Sequence, residues 1–297
     1  MNKHFDNILV PTDFTEKSMI AIEQAAYLAK PANLEITLLH VREDTKKSAL
    51  FSFLPVEETE KIREDYINKT REKVERLAEE SSQKYGVKFN PMMAKGKGYE
   101  KIVEVADLIN PAFIIMPINS GKHDNDKYYF GANTSKVVRN SKHAILTLKS
   151  DKVLKEFKKI ILPLDLQKET RQKVTKAIEF AKTYGSTIKV VSALLTDDEE
   201  IVTRIKMQLE QVDQFMEKKQ VPHTAEIVHD TCGTNNLEDL VLKYAKDVKG
   251  DLIMVMTQEE YFWVKSFIGK TATRILHNSS IPVMSVNPIE IDITHFK

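Results

Sequence analysis

Two stretches of this chain carry side chains and glycines at spacings that could hold a sugar and an anion. The first is Pro11-Thr12-Asp13-Phe14-Thr15, directly after the short apolar run at 7–10. Asp13 can accept hydrogen bonds from a ribose hydroxyl or an adenine amine. It can equally cap a helix beginning near Lys17, because Asp favours turns and caps. The second stretch is Pro117-Ile118-Asn119-Ser120-Gly121-Lys122, continuing to Gly131-Ala132-Asn133-Thr134. Glycine lets backbone N–H groups approach a phosphate with no side chain in the way. Gly131 would open a helix whose N-terminus offers free N–H groups and a positive partial charge. Lys122 could add a cation, and Ser120, Asn133 and Thr134 could add hydrogen bonds. The plainer alternative is that Gly121 only permits a turn and Gly131 only starts a helix.

The elements that must position these loops follow from periodicity. The apolar run at 7–10 ends at Pro11 and reads as a buried strand entering a loop. Residues 18–30 place Ile22, Ala25, Ala26 and Ala29 on one helical face, and Pro31 is expected to stop that helix. A strand at 34–41 follows. A long charged helix at 57–85 then carries Ile62, Tyr66, Val74, Leu77 and Ser81 as an apolar stripe expected to lie against a sheet. Next come a strand near 87–93, a helix near 99–108, a strand at 112–116, a helix at about 131–140 and a strand at 144–148. Alternating strands and helices imply an α/β fold, a five-stranded parallel sheet with helices on both faces. Such doubly wound, Rossmann-like sheets bind ligands at the carboxyl ends of their strands, which is where both loops fall.

The pattern occurs twice. Ile8-Leu9-Val10-Pro11-Thr12-Asp13 resembles Ile160-Ile161-Leu162-Pro163-Leu164-Asp165 at an offset of 152, and Ala144-Ile145-Leu146 maps to Pro282-Val283-Met284 at an offset of 138. Repeats this long are whole domains rather than solenoid units. The expected domains are 1–150 and 156–297, joined by the charged stretch 150–159.

Val10-Pro11-Thr12-Asp13-Phe14-Thr15 resembles the opening loop of the universal stress protein family. The stretch from Phe113 through Gly131 to Ile145 resembles that family's fourth strand, glycine loop and closing strand. The resemblance covers nearly the whole chain, twice, and implies two tandem adenine nucleotide alpha hydrolase-like domains. It implies an adenine nucleotide (ATP, ADP or AMP), with Mg²⁺ as a further cofactor, bound in the first domain. Asp13 would contact the adenosine portion, with Val41 lining the base pocket and Pro11, Thr12, Phe14 and Pro117 as further nucleotide-binding residues. Gly121, Gly131 and the backbone around Ala132, Asn133 and Thr134 would hold phosphates. Nucleotide-binding members carry Gly, two residues, Gly, nine residues, Gly, then Ser or Thr. Here Ile118 replaces the first glycine and Ala132 the hydroxyl residue, for which Asn133 or Thr134 could substitute. In the second half only Asp165 and Gly269 persist, and Glu259 would repel phosphate, so that half is expected to have lost family-type ATP binding.

The implied role is a stress-response sensor or adaptor with little or no turnover. Slow ATP hydrolysis would need Mg²⁺ carboxylates such as Asp124 and Asp126. The alternative is a nucleotide-independent protein-interaction module with a degenerate loop. Family members often pair through their last strands, so an intramolecular pseudo-dimer through 144–148 and 281–286 is expected, and a homodimer is open. Basic and acidic side chains number 44 and 43, which gives no electrostatic reason to hold nucleic acid or an anionic membrane. One cysteine, Cys232, excludes an intramolecular disulfide and fits a reducing, cytoplasmic compartment. His223, His229 and Cys232 lack a companion motif and are read as structural. Gly269-Lys270-Thr271 resembles the end of a P-loop, but Val264 stands where that motif needs a glycine. Tyr128-Tyr129-Phe130 and Tyr261-Phe262-Trp263 are read as packing.

Overall fold

A computed structural model describes residues 6–43, 56–118, 132–149, 152–164, 170–230, 236–257 and 270–287. The chain forms two compact units, Met1–Met116 and Pro117–Lys297.

The first unit runs β1 (Asn7–Pro11), α1 (Glu16–Ala32), β2 (Glu35–Arg42), α2 (Val56–Tyr85), β3 (Phe89–Lys95), α3 (Gly98–Ile109) and β4 (Ile114–Pro117), with Pro117 already in the second unit. The strand order is β3-β2-β1-β4, and every pairing is parallel. Ile8, Leu9, Val10, Ile36, Leu38, Leu39, Ile114 and Ile115 are fully buried. A parallel strand covered by helices on both faces must be apolar throughout, which is why these runs do not alternate. Alanines line the buried side of α1 (Ala21, Ala25, Ala26, Ala29) and let it approach closely.

Two expectations need correction here. Pro31 does not stop α1 but lies in its last turn. A proline removes one backbone donor, and the helix ends two residues later at Asn33, in the left-handed region, whose N–H reaches Ala29 O and Lys30 O. Nor do Ile62 and Tyr66 lie against the sheet; they are 45% and 58% exposed. The 30 residues of α2 span about 45 Å, whereas the seven-residue β3 spans roughly 23 Å, so the helix outruns the surface it packs on. Thr70, Val74, Ala78 and Ser81 carry the buried face instead.

The second unit contains α4 (Ala132–Asn140), β5 (Ile145–Leu148), β6 (Lys159–Pro163), α5 (Thr170–Tyr184), β7 (Thr187–Leu194), α6 (Glu199–Lys218), β8 (His223–His229), α7 (Leu237–Asp247), β9 (Leu252–Met256), α8 (Lys270–Asn278) and β10 (Val283–Val286). Its strand order is β5-β10-β9-β6-β7-β8. All pairs are parallel except β5–β10, which is antiparallel. This is the last-strand contact expected within one chain. Leu146 pairs with Met284, Thr147 with Val283 and Ile145 with Ser285. The sequence repeat maps Leu146 onto Met284 and Thr147 onto Ser285, so the pairing is self-complementary about its centre, as an isologous contact must be. The side chains obey the same symmetry. Thr147 Oγ1 donates to Val283 O at 3.0 Å, and Ser285 Oγ donates to Ile145 O at 3.2 Å.

Candidate functional site in the first half

The loop after β1 is held by a chain of hydrogen bonds that begins inside the protein. Thr12 N–H donates to Leu39 O at 2.8 Å, which keeps the backbone in register with β2 for one residue past Pro11. Thr12 itself is buried. The Phe14 amide donates to Thr12 Oγ1 at 3.1 Å, Thr12 Oγ1 donates to Ser18 Oγ at 3.0 Å, and Ser18 Oγ donates to Thr15 O at 2.9 Å. Each hydroxyl gives its one hydrogen and accepts another, so the donors run in one consistent direction. His40 Nδ1 lies 2.8 Å from Thr12 O. A carbonyl only accepts, so Nδ1 carries the hydrogen.

Asp13 faces solvent at the edge of this turn. Its Oδ1 accepts from the Thr15 amide at 3.1 Å and from Thr15 Oγ1 at 2.6 Å. Partial burial would raise its pKa, but the hydrogen bonds from Thr15, foremost, and from Ser18 together outweigh this and hold the carboxyl below the ordinary Asp range. It is therefore an acceptor at neutral pH and addresses groups that bring hydrogen-bond donors. Between its two candidate roles, capping falls to Thr15, whose Oγ1 accepts from Ser18 N. Pro11, Thr12, Asp13 and Phe14 thus lie at the carboxyl edge of the first unit's sheet. Val41, half-buried and paired with Ala94, lies toward the same edge of β2.

Phe14 adopts φ 64°, and its ring lies 4.6 Å from that of His40. Lys73 of α2 places Nζ 4.1 Å from the Phe14 ring centroid. Sequence reasoning missed Ser18, His40 and Lys73. Ser18 had a local signal, three residues after a Thr just ahead of a helical pattern. His40 and Lys73 had none, because their roles arise only when β2 and α2 pack beside the loop.

In the second unit, Thr134 is buried and its Oγ1 donates to Pro117 O at 3.1 Å. That leaves the hydroxyl as an acceptor, a poor match for a phosphate oxygen. Asn133 is exposed in the first turn of α4, which starts at Ala132. Ile118 is buried, with its N–H on Leu148 O at 2.7 Å. Gly121, Gly131, Ser120, Lys122, Asp124 and Asp126 lie outside the described residues, as do Asp165, Cys232, Glu259, Gly269 and the two aromatic stretches. His223 donates from Nδ1 to Val221 O at 2.7 Å and lies 3.0 Å from Asp213 through Nε2, in keeping with a structural role. Among the described residues no three His, Cys, Asp or Glu converge as metal ligands. No described helix is long and apolar enough to cross a membrane.

The chain is similar to universal stress protein MJ0577 of Methanocaldococcus jannaschii, 28% identical over 160 residues, which is 50% of this chain and 98% of the relative. It is also similar to universal stress protein MJ0531 of the same organism, 23% identical over 148 residues, 50% of this chain and 84% of that one. In fold it matches the crystal structure of a universal stress protein from Archaeoglobus fulgidus with a TM-score of 0.67, at 18% identity and over 95% of this chain and 98% of the other. The universal stress protein family matches at residues 4–149 and again at 156–287, so the chain belongs to that family as a tandem α/β member.

Proposed function

We propose that the first half binds an adenine nucleotide and that the protein works as a stress-response sensor or adaptor with little or no turnover. The observation that carries this reading is Asp13. It is an exposed carboxylate at the carboxyl edge of a doubly wound sheet, oriented by hydrogen bonds from Thr15, on a loop whose backbone is anchored through buried Thr12. A ribose or an adenine amine supplies the donors that such a group lacks. The reading rests on this loop, because Gly121 and Gly131, assigned to phosphate by the family resemblance, lie outside the described residues.

Isothermal titration with ATP, ADP and AMP tests it, using protein shown by mass spectrometry to be nucleotide-free. Submillimolar binding of at least one is expected, and runs with and without Mg²⁺ tell whether the metal takes part. An absence of heat at millimolar ligand would overturn the reading. A nucleotide-independent interaction module is the second reading. It is favoured by the burial of Ile118 and by the Thr134 hydroxyl donating to Pro117 instead of facing a ligand.

A further inference from the structure

Five non-glycine residues among those described have positive φ: Phe14, Asn33, Asn110, Gln220 and Lys249. Asn33 and Asn110 are the C-caps of α1 and α3. Gln220 and Lys249 directly follow the C-caps of α6 and α7. At a helix C-terminus the left-handed conformation is the ordinary way to end. Phe14 is different: it precedes a helix and is bulky, which makes φ 64° a true outlier. Such a conformation persists only where its surroundings hold it there, and it concentrates at ligand-contacting turns.

The groups that hold Phe14 come from three places. Thr12 Oγ1 takes its amide, His40 of β2 lies against its ring while donating to Thr12 O, and Lys73 of α2 sets its ammonium over the ring. The two residues flanking Phe14 are Asp13 and Thr15, the pair whose hydrogen bonds aim the carboxylate. A change in Phe14 φ would rotate Asp13 against Thr15. We propose that Lys73 and His40 are positioning residues for Asp13, acting through the ring of Phe14 to keep the β1–α1 turn in its strained, ligand-ready form. This rests on the reading of Asp13 as a nucleotide contact.

Lys73→Met keeps the length of the side chain and removes the charge, and Lys73→Arg keeps a cation that can lie over the ring. Two measurements are made on the full chain. The first is amide hydrogen exchange at Phe14 and Thr15, by NMR, without ligand. The second is the affinity for ATP by titration. In Lys73→Met both amides should exchange about fivefold faster and ATP should bind about fivefold more weakly, as loss of a surface cation–ring contact permits. Lys73→Arg should stay within about twofold of the parent on both counts. The melting temperature should fall by no more than about 4 °C in Lys73→Met, the shift a fivefold effect permits, and should hold in Lys73→Arg. Unchanged exchange and unchanged affinity in Lys73→Met overturn the proposal. Faster exchange with unchanged affinity also overturns it, since the turn would then not govern binding. If the parent protein binds no nucleotide at all, the functional reading falls, and the ligand-free exchange decides by itself whether Lys73 holds the turn. His40→Phe, which retains a ring but loses the bond to Thr12 O, should speed exchange in the same direction, and no change there removes His40 from the device.

Discussion

The two halves share a backbone at the end of their first strand and differ in what is attached to it. Thr12 N–H bonds Leu39 O at 2.8 Å, and Leu164 N–H bonds Val191 O at the same distance. The carbonyl of Thr12 receives His40 Nδ1, and the carbonyl of Leu164 receives Ser192 Oγ at 3.1 Å. So the strand-end geometry survives duplication, with a donor supplied to the same carbonyl by different side chains. What the second half lacks is the hydroxyl of Thr12, since Leu164 cannot take an amide from the turn. The fold needs the backbone and some donor to the carbonyl. The turn that presents Asp13 also uses the Thr12 hydroxyl, which Leu164 does not supply.

The sharpest way to break this contrast is to remove each carboxylate in turn. Asp13→Ala should weaken ATP binding by roughly tenfold to a hundredfold, the range for losing a hydrogen bond to a charged group. Asp165→Ala should leave the titration unchanged. Equal effects from the two would mean that both halves bind, and no effect from either would remove Asp13 from the site.

Next in size is a transplant. Thr12→Leu gives the first loop the residue of the second and leaves the Phe14 amide and Ser18 Oγ without Thr12. Losing a buried hydroxyl that serves two partners should cost about 1–3 kcal/mol in denaturant unfolding. Affinity for ATP should fall as well, because the turn is released. If stability and affinity both hold, the hydroxyl chain is incidental.

A third test asks where the halves are alike. At the β5–β10 pairing, Thr147 and Ser285 are symmetry mates with equivalent bonds. Thr147→Val and Ser285→Ala should each cost about 1 kcal/mol, and the two losses should agree closely. A large difference would show that the pairing is symmetric in backbone only.

Much of this was legible beforehand, for stated reasons. Apolar runs such as Ile8-Leu9-Val10 and Ile160-Ile161-Leu162 are fully buried because two helical layers cover them, and a run of that kind admits few other readings. The family resemblance implied the pairing of β5 with β10, and the offset repeat accounts for its register, because an isologous contact places equivalent residues symmetrically about its centre. The extent of helix packing was not legible. Periodicity carried the stripe of α2 through Ile62 and Tyr66, but periodicity reports which face is apolar, not how far the neighbouring sheet extends. Asp13 was legible as an acceptor but not as aimed, because its orientation depends on Thr15 acting as both its donor and the cap of α1. Lys73 stands 60 positions from Asp13 in sequence, amid other charges on a solvated helix, and nothing local sets it apart.

The smallest effect, and the one that separates the halves by pH, comes from two groups whose folded pKa is depressed. For His277 in α8, burial is the larger cause and the Lys149 ammonium adds to it. For Asp13, partial burial works the other way but is outweighed by the combined hydrogen bonds of Thr15 and Ser18. In both cases the unfolded chain binds the proton more readily, so stability rises with pH across the window between folded and unfolded values and is lost as pH falls through it. For His277 that loss begins near the ordinary His value of about 6.5, and for Asp13 near about 3.9. The two losses begin at different pH, which allows the onset in each half to be followed in one acid titration of unfolding free energy. His277→Gln should flatten the curve in its upper window and leave the lower one, while Asp13→Asn should do the reverse, with a change of a few tenths of a kcal/mol because Asp13 faces solvent. Asp13→Asn flattening the upper window instead would mean that the carboxyl titrates near neutrality, and the acceptor-only site drawn for the first half would have to be abandoned.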